Sequence, residues 1–255
     1  MPITKRALLI SNPGEPGAEN YARGVYVDIK NYQRFLNSSP GGAWEAGEIE
    51  SMDRPTRAAV QLKIAEFARY DYTFIMFSGH GWYSSVVKDR ILELKKGEQI
   101  ASQDLLLYTK KRVLVMDCCQ VVHNEPLMEK AARMVAFANA ARVPRTPNRE
   151  ACRKLFLNEI EKAPLGAVRI SSCAIDERSW DDDNTGGRYN SSLIGCADEW
   201  ADREAQKSWS PDSSLSIAEA HEAAAALTRK RSNNTQKPGI EKAKSGPYFP
   251  FAVFA

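Results

Sequence analysis

The chain has 255 residues, a formal net charge of +3, 43% hydrophobic and 26% charged residues. That length and composition describe one large or two small globular domains with a real core. The mild charge and the lack of basic stretches interleaved with stacking aromatics exclude a nucleic-acid-binding protein. No stretch approaches the roughly 18 apolar residues of a membrane helix.

In chain order, Ala7 to Ser11 reads as a first buried strand, followed by the turn-rich Asn12-Pro13-Gly14-Glu15-Pro16-Gly17. Val25 to Leu36 places apolar groups at helical spacing. Glu48 to Met52 is a short strand, and Arg54-Pro55-Thr56 opens a helix reaching about Ala68. Tyr72 to Phe77 is a continuous apolar run leading into Ser78-Gly79-His80-Gly81. Ile91 to Leu94 alternates and meets Lys95-Lys96-Gly97-Glu98, a hairpin signal. Ile100 to Tyr108 is expected to be a short helix capped by Ser102. Arg112 to Met116 is a second apolar run, leading into Asp117-Cys118-Cys119-Gln120.

Farther along, Leu127 to Ala141 and Ala151 to Ala163 have helical composition, separated by the basic, proline-containing break Arg142 to Arg149. Ala167 to Cys173 is another buried strand, Asp181 to Gly187 a polar loop, and Ser191 to Ala201 and Ser216 to Thr228 are helices. Tyr248 to Phe254 is apolar and expected to dock on the core. This alternation of strand and helix predicts a single α/β domain over 1–255, with a mostly parallel sheet and helices on both faces.

Short apolar runs bounded by turn signals are what strands buried on both faces look like. Open parallel sheets collect functional groups at the carboxyl ends of neighbouring strands. His80 and Cys119 therefore read as a pair meeting at one sheet end. A cysteine nucleophile needs a thiolate, and a histidine within reach supplies the base or ion-pair partner. Gly79 and Gly81 permit a sharp turn. The backbone N–H groups of Gly81 and Cys119 would form an oxyanion hole. Taken singly, each residue is more simply a structural His or a small buried Cys. Their joint placement favours the dyad.

The five cysteines, Cys118, Cys119, Cys152, Cys173 and Cys196, include no CxxC pair. With no secretion signal they read as reduced thiols in a cytoplasmic protein. Adjacent Cys118 and Cys119 with His123 and His80 would make poor tetrahedral geometry, so no metal site is expected.

Phe77-Ser78-Gly79-His80-Gly81 and Val115-Met116-Asp117-Cys118-Cys119 resemble the histidine and cysteine motifs of the caspase-like cysteine peptidases, closest to the metacaspase branch of bacterial type. Gly24-Val25-Tyr26-Val27-Asp28 is similar to the segment before that family's first helix. Ser171-Ser172-Cys173 through Gly187-Arg188-Tyr189-Asn190-Ser191-Ser192-Leu193 is similar to a later strand, loop and helix of the family. The resemblance spans nearly the whole chain and implies a caspase-like three-layer sandwich. It implies Cys119 as nucleophile with Cys118 facing the core, and His80 as general acid/base. It also implies an acidic S1 pocket from Asp28 and Asp117, and hence protein substrates cleaved after Arg or Lys through an acyl-enzyme thioester. Asp28 is otherwise a solvated acid at a helix start.

Two departures stand out. Gln120-Val121-Val122 replaces the family's His-Ser-Gly, and Tyr189-Asn190 replaces Phe-Thr. Some members need calcium, for which Asp176, Asp181, Asp182 and Asp183 offer oxygens; an acidic surface loop is the simpler reading. Arg142, Arg145 and Arg149 are candidate processing sites for an enzyme with basic P1 preference. A lone catalytic domain without a fused sensor implies an activating partner protein and a role in bacterial stress or antiviral defence. The alternative is a catalytically inactive caspase-like binding or scaffold module.

Overall fold

The computed structural model describes residues 3–120, 144–207, 212–244, 246 and 248–255. The helix expected from Leu127 to Ala141, together with Val121, Val122, His123 and Arg142, lies outside the described residues. The elements run as follows: β1 Lys5–Asn12, α1 Gly24–Asn37, β2 Ile49–Asp53, α2 Arg57–Phe67, β3 Tyr72–Gly79 and β4 Gly81–Ser84. Next come β5 Asp89–Lys95, β6 Glu98–Ala101, β7 Lys111–Asp117, α3 Arg149–Lys162, β8 Gly166–Ser171, β9 Asp181–Asp182 and β10 Gly186–Gly187. The chain finishes with α4 Arg188–Gln206, β11 Ser213–Ser216, α5 Ile217–Arg231, β12 Gly239–Glu241 and β13 Pro250–Phe254.

The central sheet has six strands in the order β12-β8-β7-β3-β1-β2. Five are parallel, and β12 joins the edge antiparallel to β8. Because strand side chains alternate, each inner strand feeds two cores. Ala7, Leu9, Phe74, Met76, Val113 and Val115 face one side, packing with α1, α3, α4, α5 and β13. Leu8, Ile10, Ile75, Phe77, Leu114 and Met116 face the other, against α2 and the hairpin β5–β6. This is the expected α/β sandwich, with a mostly parallel sheet between two layers.

Helix starts follow the sequence closely. Thr56, Asn148 and Ser216 each accept a hydrogen bond from a first-turn N–H, and Ser216 with Glu219 forms a reciprocal capping box.

Three expectations need correction. The segment from Ile100 is not a helix: Ile100 completes strand β6 opposite Leu92, and a single 3₁₀ turn follows at Ser102–Leu106. Burying Ile100 against Leu92 and Leu94 requires extended backbone there. Ser102 caps nothing; its buried hydroxyl donates to Asp89, whose other oxygen accepts the Gln103 N–H. The loop from Asp181 to Gly187 is not merely polar surface: β9 and β10 pair antiparallel within it. The apolar C-terminal segment is docked as expected, in the form of a strand pairing with β11.

No helix among the described residues is long and apolar enough to cross a membrane.

Candidate active site

Strands β3 and β7 are neighbours in register, Phe77 opposite Met116 and Ser78 opposite Asp117. The two motifs that follow them therefore leave the sheet at the same end. His80 and Cys119 both line one cleft of about 130 Å³, together with Gly79, Asp117, Cys118 and Asp181. The floor is the carboxyl end of the parallel sheet, where such folds bind ligands.

The backbone around the imidazole is held by glycines. Gly79 has φ +153° against the Asn12 backbone, leaving no space for a Cβ. Gly14, at φ +90°, lets the proline-containing loop after β1 approach the ring: a Cβ there would sit 2.8 Å from His80 Nε2. That nitrogen is buried and has no hydrogen-bond partner among the described residues. The strand after the imidazole pairs with β5, bringing Gly81 against Cys118, whose sulfur would lie 2.9 Å from a Cβ at position 81.

The two adjacent cysteines differ. Cys118 is buried among Leu92, Leu114 and Met116, and burial pushes its thiol far up. Cys119 is partly exposed at the cleft, and its thiol donates to the Ser179 carbonyl at 3.5 Å. Burial raises this thiol too, and the Ser179 carbonyl that accepts from it opposes the shift.

Asp28 and Asp117 meet beneath the cleft. Asp28 is not a solvated helix-start acid: it is 1% exposed, on the sheet-facing side of α1. It accepts from Ser78 Oγ at 2.6 Å, the Gly187 N–H at 2.9 Å and Asn190 Nδ2 at 2.8 Å. Burial, then the charge of Asp117, push its carboxyl up to about 8 against these hydrogen bonds. Asp117 accepts from Ser179 Oγ and from the Asn190 N–H, and burial raises it as well. Gly186 and Gly187 exist here for space: a Cβ on either would overlap Asp28 or Asp117. Asp181, on the cleft wall, is raised by the packing around its carboxyl, while the neighbouring Gly24 amide and the charge of His80 pull it down.

Three residues that sequence reasoning did not place in the site turn out to organise it. Asn190 links both acids and accepts from Tyr32 Oη at 3.1 Å. Ser179 accepts from Ser172 and Gln236 through its hydroxyl, donates to Asp117, and holds the Cys119 thiol through its carbonyl. Gln120 is fully buried and anchors the turn after Cys119. All three are polar residues whose partners are remote in sequence, so no local pattern marks them.

Of the candidate processing residues, Arg145 donates to the Glu204 carbonyl and stacks over Phe254. Arg149 opens α3 and donates to the carbonyls of Asn37 and Trp44. Asp182 bonds within its own turn, to Asn184 and Thr185. Among the described residues, no three His, Cys, Asp or Glu side chains converge as a metal site.

The caspase domain family model matches residues 4–249. No curated protein sequence matches the chain. Because the match covers nearly the full length, the sheet, the cleft and both motifs all fall inside it: the chain belongs to the caspase domain family and is, at that level, a cysteine peptidase.

Proposed function

We propose that this protein is an endopeptidase that cleaves after Arg or Lys, with Cys119 as nucleophile and His80 as general acid/base. The observation that carries this reading is the shared cleft: His80, Cys119 and the acid Asp117 line one cavity at the end of adjacent parallel strands.

In the reaction, the Cys119 sulfur attacks the scissile carbonyl and its proton passes to the imidazole. The N–H groups of Gly81 and Cys119 stabilise the oxyanion. The imidazolium then protonates the leaving amine, and water, deprotonated by the imidazole, hydrolyses the thioester. These steps use only side chains and backbone donors of this chain. The paired carboxylates Asp28 and Asp117 hold a P1 guanidinium or ammonium.

The resting thiol supports control by an activator. Burial raises the Cys119 thiol, which donates to the Ser179 carbonyl, and His80 Nε2 has no partner among the described residues. A partner protein that moves the Ser179 segment frees the thiol for the imidazole. We place the protein in the cytoplasm, as an effector in bacterial stress or antiviral defence, on the analogy of family alone.

Fluorogenic peptides with Arg, Lys or Asp at P1 test the reading, with Cys119→Ala as control. Cleavage after Arg and Lys, abolished by that substitution, is expected. Undiminished activity in Cys119→Ala would falsify the nucleophile assignment, and equal cleavage after Asp removes the acidic pocket.

A further inference from the structure

The residue after the candidate nucleophile is held more tightly than any turn residue needs to be. Gln120 is 0% exposed, and all four of its polar functions are paired. Its backbone N–H donates to Glu177 O at 3.0 Å and its carbonyl accepts the Asp176 N–H at 3.1 Å. Its side-chain NH2 donates to Cys173 O at 2.6 Å, and its side-chain oxygen accepts from Arg90 Nε at 3.0 Å.

Arg90 is itself fixed. It lies on β5, donates through NH1 to Glu241 at 2.7 Å on β12, and through NH2 to Ser171 at 3.3 Å on β8. Glu241 is gripped a second time by Arg169 at 2.6 Å, and Arg169 also reaches Asp89 at 2.9 Å. Arginine's fork suits such multi-point anchoring, and a lysine cannot reproduce it. On the other side of Cys119, Asp117 is held in the sheet and by Ser179. Cys119 is thus a short crest between two anchored residues.

We infer that Arg90, acting through Gln120, is a positioning residue that holds the Cys119 turn toward the cleft. The inference rests on the proposed role of Cys119. A buried amide that loses its partner is penalised, so the turn re-forms elsewhere when Arg90 is removed. Neither residue touches the substrate in this scheme. The effect therefore falls on the rate of the chemical step and not on ground-state binding.

The test compares Arg90→Ala, Arg90→Lys, Gln120→Ala and the double Arg90→Ala/Gln120→Ala. Kinetics on Arg and Lys peptides are combined with hydrogen–deuterium exchange over residues 117–120. The expected result is kcat lower by about tenfold or more, with KM within about twofold. Exchange at the turn accelerates, and Arg90→Lys, keeping one donor, recovers part of the rate. The double variant matches Gln120→Ala within about twofold, because the two residues act as one unit. Unchanged exchange and kcat in Gln120→Ala overturn the inference, as does a double variant whose loss is the product of the single losses. Should Arg90→Ala not fold, Arg90→Lys and Gln120→Ala decide by the same criteria. Should the resting wild-type chain cleave no peptide, the exchange measurement decides the clamp alone, and unchanged exchange at residues 117–120 in both Arg90→Lys and Gln120→Ala overturns it.

Discussion

Asp28 and Asp117 share one neighbour: Asn190 donates its side-chain amide to the first at 2.8 Å and its backbone N–H to the second at 3.2 Å. Two buried carboxylates this close resist ionising together. In the proposed reading a basic P1 side chain needs them ionised, so its binding is expected to expel a proton from the pocket. With Asp28 pushed up to about 8 by burial and by Asp117, that carboxyl is largely protonated at pH 6 and largely ionised at pH 9. KM for an Arg peptide is therefore expected to fall across that range, and a flat KM from pH 6 to 9 refutes this account of the pocket.

The two glycines of β10 leave room for those acids. Gly187→Ala puts a methyl onto Asp117, and Gly186→Ala puts one onto Asp28 at a φ of +81°. Each is expected to destabilise the fold by about 1–3 kcal/mol, as overpacking does. Each also raises KM for basic peptides more than it lowers kcat. Thermal melting and steady-state kinetics read the two effects separately.

The adjacent cysteines are expected to separate cleanly. Cys118→Ala removes a buried sulfur and costs about 1 kcal/mol of stability, with cleavage kept within a few-fold. Loss of all activity in Cys118→Ala, with a normal melt, would reverse the assignment of nucleophile and core residue.

Gly81→Ala tests the backbone donor beside the imidazole. A Cβ there meets Cys118 Sγ at 2.9 Å and Ile91 O at 2.8 Å, so the β4 backbone must shift. On its proposed role as oxyanion donor, displacing the Gly81 N–H is expected to lower kcat by about 10²–10³. An enzyme with unchanged kcat would have its oxyanion hole elsewhere.

Away from the cleft, Lys5 on β1 is 1% exposed, stacked over Trp44 at 3.8 Å and 3.5 Å from Glu48. Burial lowers it to about 7, with Glu48 opposing. The unfolded chain holds this proton up to about pH 10, so stability rises with pH between about 7 and 10 through Lys5 alone. Glu48 keeps Arg153 as a partner. Lys5→Met is therefore expected to raise Tm most below pH 7, with the gain shrinking toward pH 10. A gain independent of pH contradicts the assignment.

Much of the fold is readable from residue order because the long strands are buried on both faces. Continuous runs such as Tyr72 to Phe77 and Arg112 to Met116 leave only one reading once their turn signals are seen. Short strands are different. β9 and β10 are only two residues long each, β11 and β12 are held by partners distant in sequence, and residues such as Ser213–Ser216 carry little strand signal of their own. Ile100 is hard to place for a related reason: its strand character comes from Leu92 across the hairpin and not from its neighbours. In the site, His80, Cys119, Asp28 and Asp117 each sit in a motif with a local signature. Ser179, Asn190 and Gln120 act through hydrogen bonds across the fold, which no spacing rule encodes.

The loop that crosses His80 carries a glycine where its path nearly touches the ring nitrogen. The swivel of that ring is bounded by a wall of main chain, with no polar tether on Nε2 among the described residues. A side chain at position 14 would press on that ring and strain a backbone held at φ +90°, so in the proposed reaction this loop limits the imidazole from outside the reacting atoms.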